Sequence, residues 1–382
     1  MGYRQAPEKT IEPLTPRLSL AHVEIDDQGE LVSYDQLKRV TEQIRRESSE
    51  PLLLIVYIHG WNRNSSSGRI SGGGDLIDFR EKLRAISTAN QDRKTMGVFV
   101  SWRGRSLSTF PVGVDYFHRH GAARRVGGVA GAEVLHELGA TARASNSGSR
   151  IVMIGHSMGG AILESAFAET IAARIAVAHA EGREVRRSEF PVDLIVPVNA
   201  AESAIHARQL IASFKNRGIR DIEGAPLIVS LTSQDDTVTS LAFPLGNILG
   251  RWVPPFNFFN TANAGMYREV RPSDALQGTQ AAAHRTTVGH FKPLFSHRFE
   301  TLKGEERSLQ ELMRANRKIR RGKEFVVYGA GKNFHFVLPE QPFYNDTPYW
   351  IVPVPGEIMK NHHDLWNDNL VGMLTALMSL TR

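Results

Sequence analysis

Apolar positions along this chain follow two rhythms. LLLIVYI after Pro51 and the stretch from Met96 to Ser101 are apolar at nearly every position, which suits strands buried on both faces inside a parallel sheet. Tyr34 to Arg46 and Asp75 to about Ala89 instead space their apolar residues by three and four, the period of amphipathic helices. The same two patterns predict further strands over Leu18 to Ile25, Ile151 to Ile154, Val192 to Val198 and Pro226 to Leu231. Helices are predicted over Ala122 to Ala144, Gly159 to about Ala180 and Ser203 to Phe214. Repeated strand-helix-strand alternation calls for a mostly parallel, doubly wound sheet with helices on both faces.

Two regions depart from this pattern. Residues 1–17 are Pro-punctuated and predict an extended arm. From 241 to 344 the chain is aromatic, Pro-rich and irregular, apart from a charged helix near Glu305 to Arg321 and a strand-like Glu324 to Tyr328. The strand pattern resumes at Pro348 to Val354, and a last helix is expected from Asn369 to Leu380. Residues 241–344 therefore read as an insertion packed over one end of the sheet, within a single domain spanning 1–382.

Composition adds boundaries. With 41% hydrophobic and 23% charged residues, the chain has the profile of a soluble globular protein. The net charge of +6, from 46 basic and 40 acidic side chains, is a mild bias that gives no reason to expect a nucleic-acid partner. No cysteine is present, which excludes disulfides, thiolate nucleophiles and cysteine-ligated zinc. MGYRQAPEKTIEPLTP has no apolar signal-peptide core, and Ala6 stands where a myristoylation signal needs Ser or Thr. No stretch is long enough to span a membrane, so a cytoplasmic location is the expectation.

The candidate chemistry begins at Gly155-His156-Ser157-Met158-Gly159, which follows a predicted strand and opens a predicted helix. A strand that turns at once into a helix forces its central residue into a strained conformation and lifts the side chain clear of the sheet. The glycines leave room where a Cβ would collide with the neighbouring strand or helix. The helix N-terminus beneath Ser157 favours developing negative charge. Acyl transfer also needs N–H donors for the oxyanion. Met158 supplies one, and YIHGW supplies the other, where Gly60 lets the chain turn the N–H of Trp61 toward the site.

A nucleophile so placed is served by an acid after a later strand and a histidine after the last. PLIVSLTSQDD offers Asp235 and Asp236, with Asp236 favoured and the other aspartate expected as a turn or helix cap. VPVPGEIMKNHHDLWN offers His362 and His363 for proton transfer. His156 is expected to pack, and His290 and His297 are candidate substrate contacts. His-His-Asp lacks a third ligand at helical spacing, so neither a metal nor an organic cofactor is expected.

With IVMIGHSMGGA and YIHGW in place, the chain resembles the α/β-hydrolase superfamily in its lipase and esterase branch, over about Leu52 to Asp236 and again from Tyr349 onward. TSQDDTVTSLAFP and NHHDLWN are similar to segments of little-characterised microbial hydrolases of that kind. The resemblance implies an α/β-hydrolase fold, selects Asp236 and His362 as partners of Ser157, and places the 241–344 insertion over the site as a cap. The doubled Asp235/Asp236 and His362/His363 depart from the family pattern. The function it implies is hydrolysis of a carboxylic ester in a small-molecule or lipid-like acyl substrate. An amidase or thioesterase using the same triad, and a catalytically silent binding protein, are the alternatives.

Other signals are weaker. Gly329-Ala330-Gly331-Lys332-Asn333 lacks the first Gly and the Ser/Thr of a phosphate loop and reads as a turn. Arg314 to Lys323 reads as a solvated helix face. Trp252, Phe256, Phe258 and Phe259 suit an acyl pocket and cap packing equally well.

Overall fold

The computed structural model describes residues 10–60, 75–102, 112–242, 280–301, 324–329, 332–337 and 345–381. Its centre is an eight-stranded sheet in the order β1-β2-β4-β3-β5-β6-β7-β11. These strands are β1 (Ile11–Thr15), β2 (Leu18–Glu24), β3 (Leu52–Ile58), β4 (Lys94–Ser101), β5 (Arg150–His156), β6 (Leu194–Val198), β7 (Ile228–Ser233) and β11 (Tyr349–Val354). β1 pairs antiparallel with β2, and every other pairing is parallel. This mostly parallel sheet, flanked by helices, has the α/β-hydrolase fold.

The run LLLIVYI is buried at every position because β3 faces two apolar layers. Leu52, Leu54, Val56 and Ile58 enter one core, while Leu53, Ile55 and Tyr57 enter the other. The first core is closed by α1 (Tyr34–Glu47), α3 (Val112–Val126), α4 (Val129–Ser145), α5 (Met158–Ala180) and α6 (Ala204–Lys215). On the opposite face, α2 (Asp75–Ala89) and α8 (Asp368–Leu380) cover the sheet with Phe79, Leu83, Leu370 and Leu374. Among the described residues, no helix is long and apolar enough to cross a membrane.

Three expectations change. Ile11–Thr15, expected within an extended arm, is stitched to the sheet as its edge strand. The single helix expected over Ala122 to Ala144 is two helices broken at Gly127-Gly128, where the joint passes so close to Ile162 and Ser165 of α5 that a Cβ on Gly127 would overlap them. The third change concerns the insertion, where elements form besides the helix and strand expected there. Residues 280–301 form α7 (Gln280–Arg285), single turns at Val288–His290 and Lys292–Leu294, and β8 (Arg298–Thr301). Ala283, Val288, Phe291 and Leu294 are buried in the first core, and the 288–290 turn touches α6, β7 and β11. This part of the insertion fills the flank of the sheet.

β8 joins β9 (Glu324–Gly329) and β10 (Lys332–Val337) in a three-stranded antiparallel sheet ordered β8-β10-β9. Gly329 lies opposite Lys332 in the antiparallel pairing of β9 with β10, and Ala330 and Gly331, at the centre of the expected turn, lie outside the described residues. The expected helix near 305–321, the Arg314 to Lys323 stretch and the aromatic cluster at Trp252, Phe256, Phe258 and Phe259 lie outside the described residues.

Candidate active site

β5 ends at His156 and α5 begins at Met158, so Ser157 carries the whole change of direction. Its backbone takes φ 54° and ψ −117°, a strained combination for a residue with a Cβ. Its N–H donates to Val198 O at 2.9 Å, and its carbonyl accepts from the N–H groups of Gly160 and Ala201, both at 3.0 Å. A Cβ on Gly155 would strike the backbone of Gly159, and one on Gly159 would strike the carbonyl of Ile58. The two glycines therefore let the elbow close against helix and strand.

Parallel strands end on a common edge, and that edge collects the other groups. Ser157 Oγ lies 2.9 Å from His362 Nε2, and His362 Nδ1 lies 2.8 Å from Asp236 Oδ2. All three residues are buried. Asp236 follows β7 in a tight turn and accepts four hydrogen bonds. Its Oδ1 takes the N–H groups of Val238 (2.9 Å) and Thr239 (3.1 Å), and its Oδ2 takes the Thr239 hydroxyl (2.5 Å) and His362. Burial alone would raise the carboxyl's pKa, but the hydrogen bond and charge of His362 together with Thr239 hold it below the usual value. Asp236 thus caps the following turn itself, the role expected of the other aspartate. Asp235 is exposed, its N–H donating to Ser233 Oγ, and its side chain lies over Gly356. His363 is exposed too. The structure therefore brings together Ser157, His362 and Asp236 and leaves both alternates outside.

The backbone of the histidine loop is clamped. The His362 carbonyl accepts from His156 Nε2 at 2.7 Å and from Asn199 Nδ2 at 3.1 Å. Burial, with His362 adding to it, lowers the His156 pKa to about 4. His156 is therefore neutral, with its proton on the nitrogen that donates. Asn199 sits at the end of β6 with φ 47°, and its Oδ1 accepts the N–H of Ser233 at 2.9 Å. Ser233 Oγ in turn donates to Met359 O at 2.7 Å. The ends of β6 and β7 and the loop after β11 are thus tied into one unit. Asn199 and Thr239 escaped sequence reasoning. The Thr-rich TVTS after the aspartates was the available sign for Thr239, and an Asn at a strand end was the only one for Asn199.

Near the expected oxyanion donors, Met158 opens α5, where first-turn N–H groups have no intrahelical acceptor. His59 Nδ1 donates to Gly60 O at 2.9 Å, and its Nε2 accepts the N–H of Trp102 at 3.2 Å. Gly60 runs so close that an added Cβ would sit 2.9 Å from Ser157 Cβ. Trp61 lies outside the described residues. His297, expected as a substrate contact, is buried beneath β11 with its ring 4.1 Å from that of Trp350, and burial lowers its pKa to about 3. It is a core residue. His290 contacts Thr239 instead, its Nε2 lying 3.0 Å from Oγ1. Among the described residues, no group of three or more His, Asp or Glu side chains is arranged to hold a metal ion.

No family model matches the chain. No curated protein matches it. Among solved structures, it is similar to a Trichoderma reesei cutinase in complex with a C11Y4 phosphonate inhibitor, at 12% identity and a TM-score of 0.21, over 44% of this chain and 67% of that one.

Proposed function

We propose that this protein is a serine hydrolase that cleaves an acyl bond, a carboxylic ester in first place, through an acyl-enzyme. Ser157 Oγ attacks the carbonyl carbon while His362 Nε2 takes its proton. Asp236 holds the imidazole in the tautomer with Nδ1–H toward the carboxylate and stabilises the imidazolium that forms. The main-chain N–H groups of Met158 and Trp61 receive the oxyanion. Collapse expels the alcohol, which takes the proton back from His362, and water then repeats the sequence on the acyl-enzyme. Within a single domain, the 241–344 insertion contributes a cap over this site in addition to the stretch 280–301 that fills the flank of the sheet.

One observation carries this proposal: an unbroken hydrogen-bonded line from Asp236 Oδ2 through His362 to Ser157 Oγ, at 2.8 and 2.9 Å. It ends on a serine whose φ of 54° only a constrained turn imposes. An ordinary strand-to-helix turn has no use for a buried imidazole and carboxylate aligned on its hydroxyl.

The test is hydrolysis of p-nitrophenyl acetate, butyrate and a long-chain ester by wild type and Ser157→Ala. The expected result is turnover that falls in the variant by at least about 10³-fold. The chain-length profile would then report the acyl pocket. Equal turnover in both proteins would remove Ser157 from the chemistry, and thioester and amide panels would settle the bond cleaved.

A further inference from the structure

The proposed triad chemistry leaves one hydrogen-bonded neighbour of the acid unused. Thr239 Oγ1 lies 2.5 Å from Asp236 Oδ2 and 3.0 Å from His290 Nε2. Asp236 is ionised, so the single hydroxyl proton points at the carboxylate. The Thr239 oxygen then accepts from His290, whose proton is on Nε2. Burial keeps the His290 ring neutral by lowering its pKa, with His362 adding to that and the Asp236 charge opposing it. Asp236, from the turn after β7, and His362, from the loop after β11, are the ionisable groups that act on it.

His290 is delivered to this position by a rigid element. Its turn, Val288–His290, is fixed by Val288 N donating to Glu202 O at 3.1 Å and by a bridge between Thr287 and Ser203. Gly289 presses on β7 so closely that a Cβ there would overlap the Thr232 side chain. A surface histidine meeting a threonine by chance would need neither support.

We propose that His290 is a positioning residue that acts through Thr239 on Asp236, so that Ser157, His362, Asp236, Thr239 and His290 form one ordered chain of hydrogen bonds. This rests on the serine-hydrolase reading above. Asp236 Oδ2 is shared by two donors, and the negative charge that the Thr239 hydroxyl stabilises there attracts an imidazolium at His362 less strongly. Donation from His290 polarises the Thr239 hydroxyl and strengthens its hold on the carboxylate. Loss of either group leaves more charge facing His362 and favours its protonated form.

The experiment follows the His362 ring protons by NMR titration in the full chain, alongside the pH profile of fluorophosphonate labelling. Thr239→Val and His290→Phe each move the His362 midpoint upward by about half a pH unit, and labelling on the acid limb slows about threefold. Thr239→Ser and His290→Gln, which keep a hydroxyl and an amide donor, restore the wild-type midpoint. The double variant Thr239→Val/His290→Phe moves it no further than Thr239→Val alone, because His290 acts only through the hydroxyl. A midpoint unmoved in His290→Phe, or shifts that add in the double variant, overturns the proposal even where stability falls. Absence of labelling in the wild type would instead defeat the hydrolase reading, while the titration would still decide the chain of hydrogen bonds.

Discussion

Glu164 lies in the second turn of α5 with its carboxyl enclosed between helix and sheet. Tyr349 Oη donates to its Oε1 at 2.5 Å, and its Oε2 has no hydrogen-bond partner among the described residues. Burial, with the charge of Glu202 adding to it, raises its pKa to about 8. The folded protein thus keeps Glu164 protonated where the unfolded chain, titrating near 4.5, has released the proton. Its contribution to stability is whole below that lower value and is lost as pH rises toward 8. Glu164→Gln, which mimics the neutral acid, is expected to flatten the decline by on the order of a few kcal/mol. Chemical denaturation between pH 5 and 9 checks this, and an unchanged slope would contradict it. Asp236 acts in the opposite sense: its lowered pKa adds stability above the unfolded value and loses it on acidification. At this scale the sequence was informative where chemistry is local. The Gly-x-Ser-x-Gly turn needs its own neighbours, so Ser157 could be singled out. Asp235 and Asp236 share one turn, and only the three-dimensional path of that turn decides which of them faces inward.

Among the elements, the end of β6 illustrates what a periodic pattern conveys and what it omits. LIVPV is buried throughout and was foreseeable as a strand. Nothing in that pattern announces that the next residue, Asn199, turns left-handed and ties His362 to Ser233. Asn199→Ala removes the hydrogen bonds to His362 O and from Ser233 N, with the longer ones to Asn361 O and Met359 Sδ, and adds backbone strain, at an expected cost of about 2–4 kcal/mol. Asn199→Gly relieves the strain alone and should be about 1 kcal/mol less damaging. Urea unfolding of the two variants separates these terms. If both unfold like the wild type, Asn199 does not hold the loop. The other departures have the same physical origin. β1 is a short edge strand containing Pro13, too brief to show alternation. The turns at 288–290 and 292–294 are shorter than any helical period. At Gly127-Gly128 the sequence does carry a break, but the small residues on either side continue a helical pattern across it.

In the molecule as a whole, the parallel sheet gathers distant segments at one edge. Ser157, Asp236 and His362 follow β5, β7 and β11, and the strand order places these near one another. Alternating strands and helices made the sheet legible, because strands buried on both faces cannot carry polar residues at regular intervals. The groups around the triad were legible only in part: His290 stood out, but as a substrate contact, and Thr239 and Asn199 did not. These three belong to separate segments that only the folded chain unites. The same architecture predicts that Gly289→Ala, outside the proposed triad, slows labelling of Ser157 several-fold by pushing the His290 turn off Thr232. Labelling kinetics beside a melting curve check it, and a wild-type rate would contradict it.

The central claim is tested most directly by mapping a fluorophosphonate adduct on the intact folded chain by mass spectrometry. A single adduct on Ser157 is predicted, absent after unfolding and slowed by at least about 10³-fold in His362→Ala. No adduct on folded wild type, or equal labelling in His362→Ala, would contradict the account.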